Sequence, residues 1–477
     1  WAKSTSISVI CSTFLSFAIF ISSSQVFKKI THYIIAYLSI AFRLFAIVFF
    51  GDFCYTVRRN IYGGNAMKSI REIYKIGKGP SSSHTMGPER AARLFREENP
   101  QADSFQVILY GSLSKTGVGH GTDRVLRETL APLPAEIIFS EEVLPGNHPN
   151  TLDFIARKDG KELSRLRVES VGGGDIRIPG REDSEGEEVY VEHSFAEIAD
   201  FCKWRYIHTL SDYVELNEGP EIWDFLLNVW KAMKQSIEDG LAATGVLPGG
   251  LNVQRKANYL YHKKAGSDAP ALEEFQKIAA YAYAVAEQNA DNGTIVTAPT
   301  CGACGVLPAV LKYVQDTKGL SDEAICRGLA TAGIIGNLTK SNASISGAEC
   351  GCQAEIGSAA AMAAGGLVYL AGGDNDAIAQ GAAMALKNML GLVCDPVAGL
   401  VETPCIKRNA AGAANAVVAA QMALAGIQSV IPPDEVIDAM YEIGCQLPAC
   451  LRETSQAGLA TTPTGQKIAE KLGQNQF

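Results

Sequence analysis

Nine of the twelve cysteines of this sequence lie between residues 301 and 450, in its Ala- and Gly-rich half. Among them, Cys394 and Cys405 flank the loop CDPVAGLVETPC, which interrupts a helical pattern and carries prolines near both cysteines. Thiolates are the usual ligands of iron–sulfur clusters, and a nearby proline is a familiar neighbour of such ligands. On this segment alone, a cluster site and a pair of ordinary core cysteines are equally good interpretations.

Two further segments bring cysteines close together. Residues 301–304 read CGAC, a spacing that suits a metal or a redox pair. No second pair of the same type exists, so a zinc site of four cysteines is not expected. Residues 340–353 read KSNASISGAECGCQ, a polar stretch between apolar helical patterns. Because polar groups inside an apolar bundle need partners, we predict a ligand site there.

Two histidine-containing segments could supply acid–base chemistry. Residues 79–88 read GPSSSHTMGP and run into a helix predicted from Glu89. A helix start presents unpaired N–H groups that can bind a carboxylate or phosphate, and His84 titrates near neutrality. An ordinary N-cap with a spare histidine is an equal alternative. His120 lies in the glycine-rich stretch 117–123, which is more typical of a plain surface turn.

Two different kinds of structure must position these segments. Residues 67–215 mix an amphipathic helix at Glu89–Glu98 with strand patterns near 104–111, 136–140 and 163–171. Apolar residues that alternate along a short segment predict strands, and apolar residues at helical spacing predict helices. Residues 67–215 are therefore predicted to form an α/β domain.

From residue 218 to residue 477 the pattern is helical throughout. Many segments are almost wholly Ala, Gly, Met and Leu, and a helix that is apolar all round is normally buried. A dense all-α bundle is expected, and frequent Lys, Asp, Asn and Gln argue against the alternative of a membrane bundle. The predicted helices lie near residues 221–239, 273–290, 305–316, 322–335, 354–371, 375–392, 410–427 and 434–445. The expected fold class is thus α+β, an N-terminal α/β domain followed by an all-α helical-bundle domain.

Composition excludes several classes of protein. The 477 residues are 47% hydrophobic and 19% charged, which indicates a globular chain with room for two domains. The net charge of −9 argues against nucleic-acid binding, which needs a basic face. Cysteines in a long Ala-rich chain differ from the disulfide framework of a small secreted protein. We therefore expect a cytoplasmic protein with no nucleic-acid partner.

Residues 1–66 do not match the rest of the chain. They contain two apolar runs, at about 7–22 and 33–50, and precede the first methionine, Met67. The first run is short for a membrane span, and Arg43 in the second would be costly inside a membrane. We interpret the segment as a hydrophobic leader translated from upstream sequence rather than as a membrane anchor, and exclude it from the fold.

Several motifs in order give a more specific indication than any one spacing. GPSSSHTMGP, TAPT, SISGAE with a following GCQ, CDPVAGLVETPC and KRNAAGAANA together resemble the iron–sulfur L-serine dehydratases over residues 67–463. The resemblance implies a β-containing N-terminal domain joined to an all-helical catalytic domain. It also implies a [4Fe–4S] cluster held by Cys352, Cys394 and Cys405, with Cys352 preferred over Cys350 because it matches the GCQ position.

The resemblance implies that the protein converts L-serine to pyruvate and ammonia at a site between the two domains. Three protein thiolates would leave one iron without a protein ligand, free to act as a Lewis acid on the substrate hydroxyl. His84 or His120 would remove the Cα proton, and we favour His84. The substrate would be bound by Ser81, Ser82, Ser83 and Thr85 of the first loop and by Lys340, Asn342, Ser344, Ser346 and Gly347 of the polar segment.

Three alternatives belong beside this interpretation. A pyridoxal-phosphate dehydratase would need a Schiff-base lysine and a glycine-rich phosphate cup, and only Lys340 loosely suggests one. An electron-transfer protein would need full cluster ligation, usually by four closely spaced cysteines. A related cluster-dependent lyase could act on threonine or on cysteine as a desulfidase. We expect L-serine as the small-molecule partner, a homodimer, and no membrane partner for residues 67–477.

Overall fold

The computed structural model describes residues 67–144, 146–181, 188–263 and 270–472. The predicted leader, residues 1–66, lies outside the described residues. Nine strands are described: β1 (Met67–Lys68), β2 (Ile76–Lys78), β3 (Ser104–Leu109), β4 (Ala135–Phe139), β5 (Thr151–Lys158), β6 (Lys161–Gly172), β7 (Asp175–Arg177), β8 (Glu188–Tyr190) and β9 (Thr294–Val296).

Sixteen α-helices are described within the same ranges. In chain order they are α1 (Gly87–Glu98), α2 (Gly111–Thr116), α3 (Thr122–Leu130), α4 (Phe195–Arg205), α5 (Leu210–Glu218), α6 (Ile222–Ala242), α7 (Ala257–His262), α8 (Pro270–Ala290), α9 (Val306–Lys318), α10 (Asp322–Asn342), α11 (Gly347–Cys350), α12 (Ser358–Leu370), α13 (Asn375–Lys387), α14 (Cys405–Leu424), α15 (Pro433–Gln446) and α16 (Pro463–Lys471).

The N-terminal part is built on a five-stranded sheet of order β4-β3-β5-β6-β7. Only the β3–β4 pair is parallel, and the connection between these two strands runs through α2 and α3. Phe105, Val107 and Leu109 are buried on alternate positions of β3, as expected for a strand with one face in a core. The helix α1 covers this face with Ala91 and Phe95. The crossover after β3 matters for function because it carries His120 between its two helices.

The C-terminal part is a helical bundle whose central helices consist largely of small residues. In α12, all residues from Ser358 to Val368 are buried. Alanine and glycine let helices approach closely, as where a Cβ on Gly365 would lie 2.1 Å from Ile335 Cδ1 of α10. Ser321 and Asp374 cap α10 and α13 by accepting hydrogen bonds from backbone N–H groups. The α+β fold class predicted from the sequence is confirmed.

The described residues form two main hydrophobic cores, which do not follow the predicted domain boundary. The core of the sheet takes residues from Ala91 to Ile176. Residues 67–74 and 190–214 instead pack in the helical core, although they belong to the predicted N-terminal domain. The strand β2 also pairs with β9, which lies between α8 and α9. The chain therefore crosses between the two parts several times, and these crossings bring distant motifs together.

Among the described residues, no helix combines the length and apolar character needed to span a bilayer.

Candidate functional site

A small buried cavity collects the three cysteines that the resemblance assigns to a cluster. The lining residues come from both parts of the fold: Pro80, Ser81, His120, Gly302, Cys352, Glu355, Ile356, Cys394, Pro396, Val401, Cys405, Arg408 and Glu453. The structure thus brings together thiols that are separated by up to 53 residues in sequence.

Each cysteine lies where regular helix begins or is interrupted. Cys352 directly precedes a single π-helical turn, Gln353–Gly357, that leads into α12. Cys405 is the first residue of α14. Cys394 lies in extended backbone, where its N–H donates to the Leu451 carbonyl and its own carbonyl accepts from Glu453 N–H, both at 2.9 Å. Extended and π-helical segments of this kind are frequent at functional sites, because they direct side chains away from the regular pattern.

The thiols lie in a buried environment that also contains charged groups. The pKa of Cys394 is raised by its hydrogen bond with Cys352 and by burial, and burial raises the pKa of Cys405. Arg408 lies 3.6 Å from Cys352 Sγ and donates to Asp395 at 2.8 Å. Thiols with raised pKa values keep their protons until a metal replaces them, and a nearby guanidinium favours the thiolate form.

Glu355 was not singled out from the sequence, yet its carboxylate faces the thiols. One oxygen accepts from Thr300 Oγ1 at 2.8 Å, and the other lies 3.9 Å from Cys352 Sγ. Burial raises the pKa of Glu355 to about 7. A Cβ on Gly302 or Gly347 would lie 2.9 or 2.7 Å from this carboxylate, so both glycines leave it room. No pattern within residues 353–357 distinguishes this glutamate from an ordinary helical one.

His84 lies in a single π-helical turn, Ser82–Met86, at the start of α1. Its Nε2 is 3.1 Å from Ser112 Oγ and 3.0 Å from Thr116 Oγ1. Both hydroxyls already donate to carbonyl groups, of Glu453 and of Ser112, so they accept from Nε2–H. The neutral ring is thereby left with an unprotonated Nδ1, 2.9 Å from Ser83 Oγ. This is the arrangement that a general base requires.

His120 is fully buried beside His84, with ring centroids 4.4 Å apart, rather than lying on a surface turn. Its Nδ1 donates to the Thr116 carbonyl at 3.0 Å, which leaves Nε2 unprotonated. Burial lowers the pKa of His120 to about 4 and lowers that of His84 well below its ordinary value. Both imidazoles are therefore neutral at physiological pH.

Glu453 lies between the two rings and was also missed by sequence reasoning. Its Oε1 is 3.5 Å from His84 Nδ1 and 3.7 Å from His120 Nε2. Its backbone has φ of 56°, a left-handed conformation that is uncommon for a residue with a side chain. Burial, followed by the nearby Glu355, raises the pKa of Glu453 well above its ordinary value. Strained backbone at a buried carboxylate is typical of functional positions.

The predicted substrate loop lies at this cavity. Ser81, Ser82, Ser83 and Thr85 are all buried, and Ser81 lines the cavity directly. Ser81 Oγ accepts from the His84 backbone N–H at 3.1 Å, which is the N-cap interaction. Thr85 Oγ1 donates to the His120 carbonyl at 3.0 Å. The N-cap interpretation of the loop is therefore confirmed, and binding of the substrate by the same residues stays a prediction.

The polar segment is divided between the cavity and other contacts. Gly347 faces the cavity, since a Cβ there would lie 3.4 Å from Cys394 Sγ. Ser346 Oγ is buried and has no hydrogen-bond partner among the described residues, and Ser344 Oγ accepts from the Ser346 N–H. Lys340 instead pairs with Asp175 of β7, and Asn342 donates to the His193 carbonyl. Neither of these two side chains lines the cavity.

The rival cysteines lie elsewhere. Cys301 and Cys304 are fully buried in the helical core, and Cys301 Sγ is 3.3 Å from Met86 Sδ. Cys350 packs against Gly444 of α15, where a Cβ would lie 2.6 Å from its sulfur. None of the three lines the cavity, whereas Cys352 does.

The buried histidines predict a pH-dependent stability. Between pH 6.5 and about 4, His120 is protonated in the unfolded chain but neutral in the folded chain. The free energy of unfolding therefore falls as pH falls. From pH 7 to pH 5 we expect His120 to cost about 2 kcal/mol of unfolding free energy. The measurement is urea unfolding at both pH values for the parent and His120→Asn, prepared identically. An equal loss in both proteins would contradict the prediction.

Fold and site together define an α+β protein with a buried centre of thiols, carboxylates and imidazoles, a donor set suited to a transition metal or an iron–sulfur cluster. Comparison with known proteins agrees with this class. Residues 69–132 match the family model of the serine dehydratase beta chain, and residues 150–460 match that of the serine dehydratase alpha chain. The chain belongs to the serine dehydratase family.

Similar proteins from several bacteria cover most of the chain. It is 39% identical to L-serine dehydratase TdcG of Escherichia coli, over 83% of this chain and 99% of that protein. It is 38% identical to L-serine dehydratase of Haemophilus influenzae, over the same shares of the two chains. It is 50% identical to the probable L-serine dehydratase alpha chain of Bacillus subtilis, over 52% of this chain and 81% of that one.

Proposed function

We propose that this chain is an L-serine ammonia-lyase that converts L-serine to pyruvate and ammonia with a [4Fe–4S] cluster. The observation that carries the proposal is the cavity in which Cys352, Cys394 and Cys405 face His120 and Glu453. The membership of the serine dehydratase family and the names of its relatives support the reaction. A site with thiols on one side and a base on the other suits the removal of a hydroxyl and a proton from neighbouring carbons.

The residues present fit a cluster. Three thiols converge on one dry cavity, and Cys352 and Cys394 offer sulfur atoms that lie, with a Glu355 oxygen, within 4.8 Å of one another. Thiolates are the ligands that iron–sulfur clusters take. When bound, the cluster would supply a Lewis-acidic iron that favours departure of the substrate hydroxyl. Arg408 would stabilise the thiolate of Cys352 from outside the ligand set.

The remaining chemistry can be assigned to residues of the chain. Ser81 and the N–H groups at the start of the π-helical turn would hold the substrate carboxylate, as a helix start does for anions. His84 would accept the Cα proton at Nδ1, because Ser112 and Thr116 fix its tautomer from the other nitrogen. His120, whose ring lies beside that of His84, would assist this proton transfer. Loss of the proton and the hydroxyl gives water and aminoacrylate. The aminoacrylate then tautomerises and is hydrolysed to pyruvate and ammonia.

Serine is favoured over the related substrates threonine and cysteine. The family relatives that cover most of the chain carry the name L-serine dehydratase, which supports the hydroxy amino acid. Threonine would add a methyl group to a small enclosed cavity that is lined closely by Ile356, Pro396 and Val401. We further propose, on the family resemblance, that the protein acts as a cytoplasmic homodimer.

The test is anaerobic purification followed by iron and sulfide analysis and a serine-to-pyruvate assay. We expect about four irons and four sulfides per chain, together with pyruvate and ammonia in equal amounts, as the proposed cluster requires. Threonine and cysteine are assayed in parallel and should be poorer substrates by kcat/KM. Serine turnover by a protein without iron would contradict the proposed cofactor, and a cluster-loaded protein that leaves serine unchanged would contradict the reaction.

A further inference from the structure

We propose that Glu453 binds the α-ammonium group of the substrate. The inference rests on the proposed function and adds to it the recognition of the amine, which neither the thiols nor the hydroxyl-rich loop provides. The Glu453 side chain lines the same cavity as the three cysteines. Its carboxyl group lies between the two imidazoles.

One oxygen of Glu453 is available to a ligand. Its Oε2 is buried and has no hydrogen-bond partner of normal geometry among residues 67–144, 146–181, 188–263 and 270–472, and the nearest backbone donor to the carboxyl group is the Ala348 N–H. A buried carboxylate oxygen without a partner is costly, and a bound cationic donor removes that cost. The side chain is only 7% exposed, so bulk water does not replace such a donor. The vacant oxygen therefore indicates a ligand that donates hydrogen bonds.

The imidazoles do not satisfy this carboxylate. Oε1 lies 3.5 Å from His84 Nδ1 and 3.7 Å from His120 Nε2, which is longer than a normal hydrogen bond. In the tautomers fixed by Ser112, Thr116 and the Thr116 carbonyl, both facing nitrogens are unprotonated. They therefore cannot donate to Glu453. A donor placed beside Glu453 would instead meet its Oε2 and the unprotonated Nε2 of His120.

The other buried acids near the cavity are already paired. Asp395 accepts from Arg408 at 2.8 Å and from the Leu459 N–H at 2.8 Å. Glu355 accepts from Thr300 and lies against the sulfur of Cys352, so it faces the thiol side. Among the described lining residues, Arg408 is the one cation, and it is committed to Asp395 and the Val393 carbonyl.

The geometry therefore selects a primary ammonium as the group that Glu453 recognises. An –NH₃⁺ group has three donors and one positive charge, which suit the Glu453 carboxyl group and His120 Nε2 and leave His84 Nδ1 for the Cα proton. An ammonium held there places the adjacent Cα–H beside His84 Nδ1, the proposed base. A hydroxyl in place of the amine would bring no positive charge to this buried carboxyl group. The site should thus discriminate amino acids from the corresponding hydroxy acids.

The test compares two ligands that differ only in this group, L-alanine and L-lactate. Their dissociation constants are measured by calorimetry on the anaerobic cluster-loaded enzyme, since neither carries the hydroxyl that leaves. We expect the parent protein to bind L-alanine at least tenfold more tightly than L-lactate. Glu453→Gln should weaken L-alanine by about tenfold or more and change L-lactate by less than twofold. For serine, the substitution should raise KM by more than it lowers kcat.

Glu287→Gln is the matched control, because Glu287 is an equally buried glutamate that accepts from the backbone N–H groups of Lys256 and Ala257, away from the cavity. It should retain the preference for L-alanine. A parent protein that binds L-lactate as tightly as L-alanine would overturn the proposal without any variant. The proposal would also be overturned by a Glu453→Gln protein whose affinity for both ligands falls by the same factor. That result is expected if Glu453 only orients the histidines. If Glu453→Gln does not load iron, Glu453→Asp is measured in its place. Its preference for L-alanine over L-lactate should be smaller than that of the parent protein.

Failure of this proposal and failure of the proposed function have different signatures. If the parent converts serine to pyruvate but does not distinguish the amine from the hydroxyl, only the role of Glu453 is wrong. If the parent prefers L-alanine but forms no pyruvate from serine, the amine site stands and the reaction is wrong.

Discussion

Replacement of Cys394 by alanine should abolish both the visible absorbance of the cluster and serine turnover. The side chain is buried, faces Cys352, and belongs to a set of three thiols with no substitute among the described cavity-lining residues. Loss of one ligand from a three-thiol site removes the geometry that holds the cluster, so iron content should fall with activity. The measurements are iron per chain, the visible absorbance of the cluster and kcat, all under anaerobic conditions.

Cys326→Ala provides the matched control for that experiment. Cys326 is as buried as Cys394, but it lies in α10 among apolar residues of the helical core. Its replacement should cost some stability and leave iron content and activity close to those of the parent. A colourless Cys394→Ala protein that remained fully active would contradict the proposed mechanism, and equal loss in both variants would show that the effect is one of folding.

Replacement of His84 by asparagine should lower kcat by roughly 10²- to 10⁴-fold, the usual contribution of a positioned general base. Iron content should stay at the parent level, because His84 is not among the residues that line the thiol cavity and contacts Ser83, Ser112 and Thr116 instead. The exchange of the Cα proton of L-alanine with deuterated water, followed by NMR, isolates the proton-transfer step. We expect this exchange to be lost in His84→Asn.

His120→Asn is the companion variant in the same assay. His120 has one side-chain hydrogen bond, to the Thr116 carbonyl, whereas His84 is fixed from both ring nitrogens. We expect a smaller loss of kcat and retained proton exchange for His120→Asn. If His120→Asn instead stops the exchange while His84→Asn sustains it, the two assignments must be reversed.

The sequence predicted the layout of the fold well because its patterns are strong. The small-residue runs that became α12 and α13 are buried on most sides, and such runs have few alternatives to a dense bundle. The strand β5 and the helix α3 were not predicted. β5 is buried over Thr151–Ala156 without alternation and includes the polar residues Thr151 and Asp153, so its sequence shows neither the alternation nor the apolar run that predicts a strand.

The site was predictable only where a long motif carried it. The cysteines and His84 belong to such motifs, and the structure places Cys352, Cys394 and Cys405 around one cavity. Glu453 follows a short 3-10 turn in a stretch with no recognisable spacing, and its position depends on hydrogen bonds to the backbone of Cys394. Contacts of this kind join residues that are far apart in sequence, so local pattern cannot reveal them.

The division of the reactive groups between the two parts of the fold has a consequence for assembly. The imidazoles lie in the turn before α1 and in the crossover after β3, and two of the three thiols lie at the starts of bundle helices. Neither half alone would contain a complete set of reacting groups. Joining them in one polypeptide keeps each at an effective concentration of the order of millimolar toward the other. If the same halves were produced as separate chains, activity would fall on dilution, whereas the joined chain would keep constant specific activity.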